Sequence, residues 1–446
     1  MPAISSALMS RSTRDPSVSD SPPGSRWRRL LMHAVIDVRP LRRHRDFRLL
    51  FLGRLISFFG SMITMVALPY QVYQLTHSSL AVGILGLFEI VPILGLAFLG
   101  GALADAHDRR RMVQITELSL TLLSAVLMAN ALLPRPQLWL LYLIATLMAG
   151  LDSLQRPSLD ALLPRLVDRD ELTAAGALSS LQSTAGQILG PALAGVFIAV
   201  IGLPATFGLD VATFFVSLLA LRLMRAVPPA AGAEKPSLNR VLEGLRYARS
   251  RQELMGTYLV DMAAMFFGMP MALFPALATH YGGASVLGLL YAAPGAGAFL
   301  ITVTSGWSNR VHRHGRAVVV AAICWGLAIT GFGLSKSLIL ALIFLGLAGG
   351  ADMVSGLFRS AIWNQTIPDA LRGRLASIEL ISYSSGPTLG NLEAGGVASG
   401  FGLETAIVSG GILCVLSAGL LGLSLPRFMR YDNTEHRDER AGDTSV

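Results

Sequence analysis

The chain has 446 residues, of which 52% are apolar and only 14% charged, and its formal net charge is +8. Soluble domains carry about 25% charged residues, so this balance excludes an ordinary soluble domain and points to a polytopic membrane protein. The positive charge does not signal nucleic acid: the basic residues sit in short loops between apolar runs, where they set topology.

Residues 1–46 are rich in Ser, Pro and Arg and contain no apolar core, which predicts a disordered basic tail at the cytoplasmic membrane surface, not a cleaved signal peptide. Crossing a bilayer takes about 20 apolar residues. Runs of that length occur at 48–73, 80–104, 112–133, 137–157, 173–201 and 204–223, which makes 47–223 a six-helix half. Residues 224–253 form a polar linker with Pro228, Pro229 and Pro236. Within it, Ser237–Arg251 places Leu238, Val241, Leu242 and Leu245 at the spacing of an amphipathic surface helix. Six more runs follow at 254–279, 284–308, 316–335, 337–358, 375–400 and 404–425, a second half over 254–425, and 426–446 is a second cytoplasmic tail. The predicted fold is all-α and polytopic, with twelve transmembrane helices in two pseudo-symmetric six-helix halves.

Of the 36 Lys and Arg residues, Arg135 and Lys336 fall in turns assigned to the outside and Arg54 lies within a helix. The others lie in the tails and inner turns, which places both termini in the cytoplasm of a multi-pass protein of the inner membrane. Cys324 and Cys414 lie far apart inside apolar runs, so buried unpaired thiols are expected, without a disulfide framework or metal spacing.

The halves are related in sequence. A shift of 200 residues lays Gly150 and Asp152 on Gly350 and Asp352, and Gly186, Leu189, Gly190, Ala194 and Gly195 on Gly386, Leu389, Gly390, Ala394 and Gly395. A duplicated six-helix unit is the pattern of secondary transporters, whose substrate site lies between the halves near mid-membrane. Glycines at this spacing let helix backbones approach closely, and Pro191 is expected to bend its helix.

Several stretches carry a family resemblance. Gly101-x-Leu103-Ala104-Asp105-x-x-x-Arg109-Arg110 resembles the loop 2–3 signature of the major facilitator superfamily, with Asp108 where a glycine is common. Gly186-x-x-x-Gly190-Pro191-x-x-Ala194-Gly195 resembles the helix-five signature of that superfamily's antiporters; helix eleven has Gly390-Asn391 at the matching place. Arg156-Pro157, Ala161–Val167, Asp170-Glu171-Leu172 and the opening Phe47–Phe51 with Gly53-Arg54 are similar to the branch containing enterobactin and multidrug exporters. The resemblance covers about 41–425. It implies the major facilitator fold, alternating access, efflux and an inner gate in which Asp152 pairs with Arg109 while Asp105 faces the start of helix eleven.

No Gly-x-x-x-x-Gly-Lys-Ser/Thr run is present, so the energy is expected to come from an ion gradient or from the substrate's own gradient, with no cofactor or metal and the proton gradient as the leading source. Proton coupling needs a carboxylate that holds a proton near neutral pH, which desolvation or the lack of a counter-charge favours. Glu89 is the leading candidate, midway along helix two; its bland alternative is a hydrogen-bonded glutamate that only fixes helix contacts. Asp261 in helix seven, expected to reach the cytoplasmic cavity, and Glu393 in helix eleven are the second-half candidates. Asp210 in helix six reads equally as a solvated or capping residue.

Arg54 can snorkel, pair with an acid or hold an anionic substrate in its guanidinium fork. Phe58, Tyr70, Phe267 and Tyr291 can line an apolar cavity, although aromatics in such helices more often pack against neighbours. The expected partners are a small-molecule substrate and the bilayer, with no nucleic acid and a monomeric state. The expected activity is non-enzymatic: proton-driven export of a siderophore or drug-like amphipath. An importer, a lipid flippase of the same fold and a transport-dead sensor are the alternatives.

Overall fold

The computed structural model describes residues 37–106, 108–225, 246–368 and 371–432. The tail before residue 37, most of the expected amphipathic linker helix (up to residue 245) and the tail after 432 lie outside the described residues. Within α-helices, the side chains of 97–106, which include Asp105, also lie outside the description.

Among the described residues, ten helical segments are long and apolar enough to cross a membrane. α1 is Arg45–Thr76, α2 Ser79–Ala106, α3 Arg109–Leu132 and α4 Leu138–Leu166. Leu172–Leu223 is a 52-residue segment broken at Gly202, where φ is +77° and ψ 169°. That left-handed conformation, open to glycine without penalty, turns the chain back and divides the segment into α5 (172–201) and α6 (203–223). The backbone stays helical through Pro191, so Gly202 supplies the break within this segment.

In the second half, α7 spans Gln252–Tyr281, α8 Ala284–Val303, α9 His314–Leu334 and α10 Leu338–Thr366. α11 is Arg372–Phe401 and α12 Leu403–Ser424. α11 is too polar to be recognised as a span by composition. At 30 residues it is nonetheless long enough, and it packs between α2 and α7. Counting α5 and α6 separately and including α11 gives the twelve expected spans. Between α11 and α12 stands Gly402 with φ +90° and ψ 164°, 200 residues after Gly202 and in nearly the same conformation.

The expected unbroken helix at 254–279 is interrupted. α7 stops at Gly268, passes through the 3₁₀ turn Met271–Leu273 after Pro270, and resumes at Phe274. The break is stabilised from outside: the Trp325 indole N–H donates to the Gly268 carbonyl at 3.2 Å, and Asn391 Oδ1 accepts from the Ala272 amide at 2.8 Å. These contacts satisfy backbone groups that lipid could not.

Glycines decide where the halves meet. A Cβ on Gly83 of α2 would stand 2.6 Å from the carbonyl oxygen of Asn391, and one on Gly395 of α11 would stand 2.6 Å from that of Ser79. Across the other seam, a Cβ on Gly195 of α5 would lie 2.7 Å from the Ala284 carbonyl, and one on Gly288 of α8 would lie 2.5 Å from that of Pro191. Backbone therefore touches backbone at both seams, as small residues permit in lipid. The remaining ladder positions pack within their own halves. Gly186 and Gly190 receive Phe58 and Met62 of α1, while Gly386 and Gly390 receive Met265 and its backbone in α7.

Two short helices close the face that carries the loop 2–3 turn. Arg39–Arg43 is tied to the start of α5 through Glu171, which is 1% exposed and accepts from Arg43 Nη1 at 3.2 Å and from His44 Nε2 at 3.0 Å. Pro426–Arg430 seats the fully buried Phe428 over Gly256 of α7 and Gly315 of α9.

Candidate functional site

On α2, Gly83, Gly86 and Glu89 follow one another at three-residue spacing and so share a face. The first two press against Asn391 and Thr388 of α11. At Glu89 the helices part, and a cavity of about 870 Å³ opens between the halves. Its walls come from α1, α2, α4 and α6 on one side and from the break of α7, α8 and α11 on the other. The lining is largely apolar, with Met62, Met65, Met148, Met269 and Met271 supplying adaptable surface. Its charged groups are Glu89, Asp152, Asp160, Asp210 and Arg156, which makes the wall acidic. The Arg156 Nη1–H donates to the Tyr383 hydroxyl at 3.1 Å, linking α4 to α11 across the cavity.

Of the expected site residues, Glu89, Asp152 and Tyr291 line this cavity. Glu89 is half-buried and forms no ion pair among the described residues. Tyr291 donates to the Met271 carbonyl at 3.3 Å and so props the α7 break. Phe58, placed against Gly186, and Phe267, placed against Phe266 and the core, are packing residues, and Tyr70 also lies outside the lining. Glu393 is half-buried beyond the cavity. Arg54 is half-buried inside the N-terminal half and forms no ion pair among the described residues.

Asp261 does not reach the cavity. It is 6% exposed and ion-paired with Arg359 of α10, whose other nitrogen lies 3.7 Å from Asp352. The expected contact between Asp152 and Arg109 is also absent: Asp152 faces the cavity, and no described ion pair joins it to Arg109, which is buried at the start of α3. The rest of the loop 2–3 turn acts on helix ends. Asp108 is the N-cap of α3, accepting from the Arg110 amide at 2.9 Å and the Arg111 amide at 3.3 Å. The Arg110 guanidinium donates to the carbonyls of Leu221 and Arg222 at 2.8 and 2.7 Å and so covers the end of α6. The acid in place of the common glycine thus has a structural reason.

Two buried charged groups, Arg359 and Glu117, were not singled out from the sequence, and a third, Asp210, stands in other surroundings than expected. Arg359 lay one residue beyond the apolar run that ended at 358, whereas α10 continues to Thr366. Glu117, near the start of its run, is 2% exposed in the bundle. Asp210 is not a capping group but is fully buried, accepting from Thr64 Oγ1 at 2.6 Å and Ser124 Oγ at 2.7 Å.

A second crevice, about 1060 Å³, lies between α5, α8, α9 and α10. It is the larger of the two, but no charged side chain lines it, whereas the central cavity carries five. Cys324 opens onto this crevice and is exposed rather than buried; Cys414 is buried as expected.

The transmembrane secretion effector family matches residues 37–441 of the chain. The enterobactin exporter EntS of Citrobacter koseri is 31% identical over 400 residues, covering 87% of this chain and 95% of the exporter. The corresponding exporter of Escherichia coli O1:K1 is 31% identical over 382 residues, covering 83% and 92%. Among solved structures, the nucleoside transporter NupG superposes with a TM-score of 0.67 at 12% identity, covering 87% of this chain and all of that one. A bacterial homologue of ferroportin in an inward-facing state gives 0.65 at 17% identity, covering 86% and 98%. These two structural likenesses speak for the fold alone.

Proposed function

This chain belongs to the transmembrane secretion effector family of the major facilitator superfamily, and is a multi-pass membrane transporter; we propose that it is a proton-coupled exporter of an amphipathic small molecule, working by alternating access. The observation that carries this reading is the position of Glu89, a carboxylate without a cation, at the point where the two halves separate. An ionised acid at mid-membrane is costly unless neutralised, paired or hydrated, and a cavity between the halves is where a transporter exposes such a group. The export direction is taken from the enterobactin exporters that share 31% of their residues with this chain. The even helix count and the basic inner turns support cytoplasmic termini in the inner membrane.

The cavity volume lies within the range that encloses drug-sized ligands, about 300–1,000 Å³. A siderophore of the enterobactin type, rich in phenolic O–H donors, fits walls that offer carboxylate acceptors and methionine surface. The excess of acidic over basic groups also supports a second reading, a cationic drug-like amphipath. In the alternating cycle, the glycine seams at Gly83–Gly395 and Gly195–Gly288 are the contacts that would part.

Inverted membrane vesicles with an imposed pH gradient test the reading. Substrate should accumulate inside them with counter-movement of protons, and Glu89→Gln should abolish the coupling while the protein remains folded. The absence of substrate-dependent proton movement across siderophore and cationic-drug panels would end the coupled-export reading. Uptake in right-side-out vesicles alone would make the protein an importer.

A further inference from the structure

Behind the cavity wall, the N-terminal half holds two carboxyls that the proposal above does not use. Asp210 of α6 is 0% exposed and Glu117 of α3 is 2% exposed. In each, one oxygen is hydrogen-bonded, while the other has no partner within hydrogen-bond distance and only a nearby hydroxyl, Thr213 at Asp210 and Ser217 at Glu117. Asp210 Oδ2 accepts from Thr64 and Ser124, whereas Oδ1 is bare. Glu117 Oε1 accepts from Gln155 at 3.3 Å and Ser57 at 3.5 Å, whereas Oε2 is bare. The two sites form layers: Thr64 stands seven residues from Ser57 on α1, Ser124 seven from Glu117 on α3, and Asp210 seven from Ser217 on α6. Seven residues are two helical turns, so the layers lie roughly 10 Å apart along the bundle.

No cation neutralises either group among the described residues. From α1, Arg54 stands one turn from Ser57 on the side away from Thr64, where its charge acts on Glu117 without forming an ion pair. α4 contributes the acids Asp152 and Asp160, the neutral Gln155 and Arg156, and α2 contributes Glu89; none of these cations is ion-paired with Asp210 or Glu117. A buried carboxylate with half its acceptor capacity empty and no counter-ion is strongly unfavourable, whereas a neutral carboxylic acid tolerates the same surroundings. Oδ1 of Asp210 faces Gly60, on which a Cβ would stand 2.5 Å away, and the neighbouring Thr213 hydroxyl donates to the Asp210 carbonyl at 2.7 Å.

We propose that Asp210 and Glu117 are proton-holding carboxylic acids of the N-terminal half, with Asp210, which borders the cavity, exchanging its proton with cavity water during transport and Glu117 acting as an inner reserve. The role in transport rests on the proton-coupled reading; the protonation itself does not. Asp210 releases its proton to cavity water when the cavity opens to the cytoplasm and takes one up from cavity water when it opens to the outer side, so one proton crosses inward per cycle and no other reactant is consumed.

The test uses the full chain in lipid nanodiscs and in proteoliposomes. At neutral pH, the infrared carbonyl band of protonated carboxyl groups should lose a component in Asp210→Asn and another in Glu117→Gln. Should Asp210→Asn fail to fold, Ser124→Ala keeps the carboxyl, removes one donor and should shift the Asp210 component. An unchanged band in all three variants would overturn the proposal, as would a sodium-dependent thermal stabilisation of wild type that Asp210→Asn removes. In proteoliposomes, Asp210→Asn should retain substrate exchange without a gradient but lose pH-driven accumulation to the level of protein-free vesicles. Retained accumulation in this variant, with loss in Glu89→Gln, defeats the transport role of Asp210 and leaves coupled export standing. A wild type that moves no protons defeats coupled export, while the infrared arm still decides the protonation.

Discussion

The two halves share a backbone and differ in their charges. Gly202 and Gly402 reverse the chain at matching places with φ of +77° and +90°, and Gly195 and Gly395 each meet the opposite half through a carbonyl. The polar interiors are not alike. In the C-terminal half, Asp261 and Asp352 share the guanidinium of Arg359. In the N-terminal half, Asp210 and Glu117 have hydroxyls and an amide but no cation. Backbone contact leaves no freedom, since any Cβ would collide, so the duplicated plan persists there. The interior between helices can be paired or left protonatable, and the two halves have taken different options. One half pairs its buried acids with a guanidinium, and the other, among the described residues, holds them with hydroxyls and an amide.

The largest expected effect comes from removing the guanidinium. Arg359→Met leaves Asp261 buried without its cation and should cost about 3–5 kcal/mol, read as earlier thermal unfolding of the detergent-solubilised protein. Adding Asp261→Asn to that variant should recover much of the loss. Glu117→Gln in the other half should change stability by less than about 1 kcal/mol, because no ion pair is broken. Equal losses for Arg359→Met and Glu117→Gln would erase the distinction between the halves.

Much of the fold was legible because its causes are local. Twenty-residue apolar runs, basic turns and the 200-residue glycine register are properties of single helices, and the helix boundaries fall close to the expected ones. Glu89 was legible for the same reason: an acid amid apolar neighbours is conspicuous. Partnership was not legible. Nothing near Asp261 announces Arg359, which arrives from a helix nearly a hundred residues later and lay past the end of its apolar run. The aromatics misled because their surroundings come from other residues: Phe58 is placed by Gly186 of another helix, and Phe267 packs against Phe266 and the core. The break in α7 had a local signal in Gly268 and Pro270, which the average hydropathy of the run concealed.

The symmetry of the seams can be tested directly. Gly195→Leu and Gly395→Leu each force a side chain into a facing backbone, and overpacking of this kind costs about 1–3 kcal/mol. The two losses should match, and both variants should lose transport, because the seams are the contacts that hold one end closed. If only one variant is impaired, the seams are not equivalent and the duplication is one of sequence alone. A smaller effect is expected at the loop 2–3 turn. Asp108→Ala removes the N-cap of α3 and should cost about 1 kcal/mol, while Asp108→Asn, which still caps, should cost a few tenths. If the two variants behave alike, the charge of Asp108 rather than its capping bonds is what counts.

The smallest expected effect in stability is the most informative about the cycle. The Arg156–Tyr383 hydrogen bond joins α4 to α11 across an accessible cavity, where water replaces it readily, so Tyr383→Phe should change thermal stability by less than about 1 kcal/mol. Its consequence should appear in the balance between conformations. A contact between the halves that exists in one conformation and not in the other biases their populations by its own free energy, however small. Distances between spin labels placed on α4 and α11 should therefore broaden toward the more separated state in Tyr383→Phe, and Arg156→Gln should do the same. Glu117→Gln, which lies within one half and spans no seam, should leave the distribution unmoved. If the label distances do not change in Tyr383→Phe, the link is passive and the glycine seams alone hold the halves together.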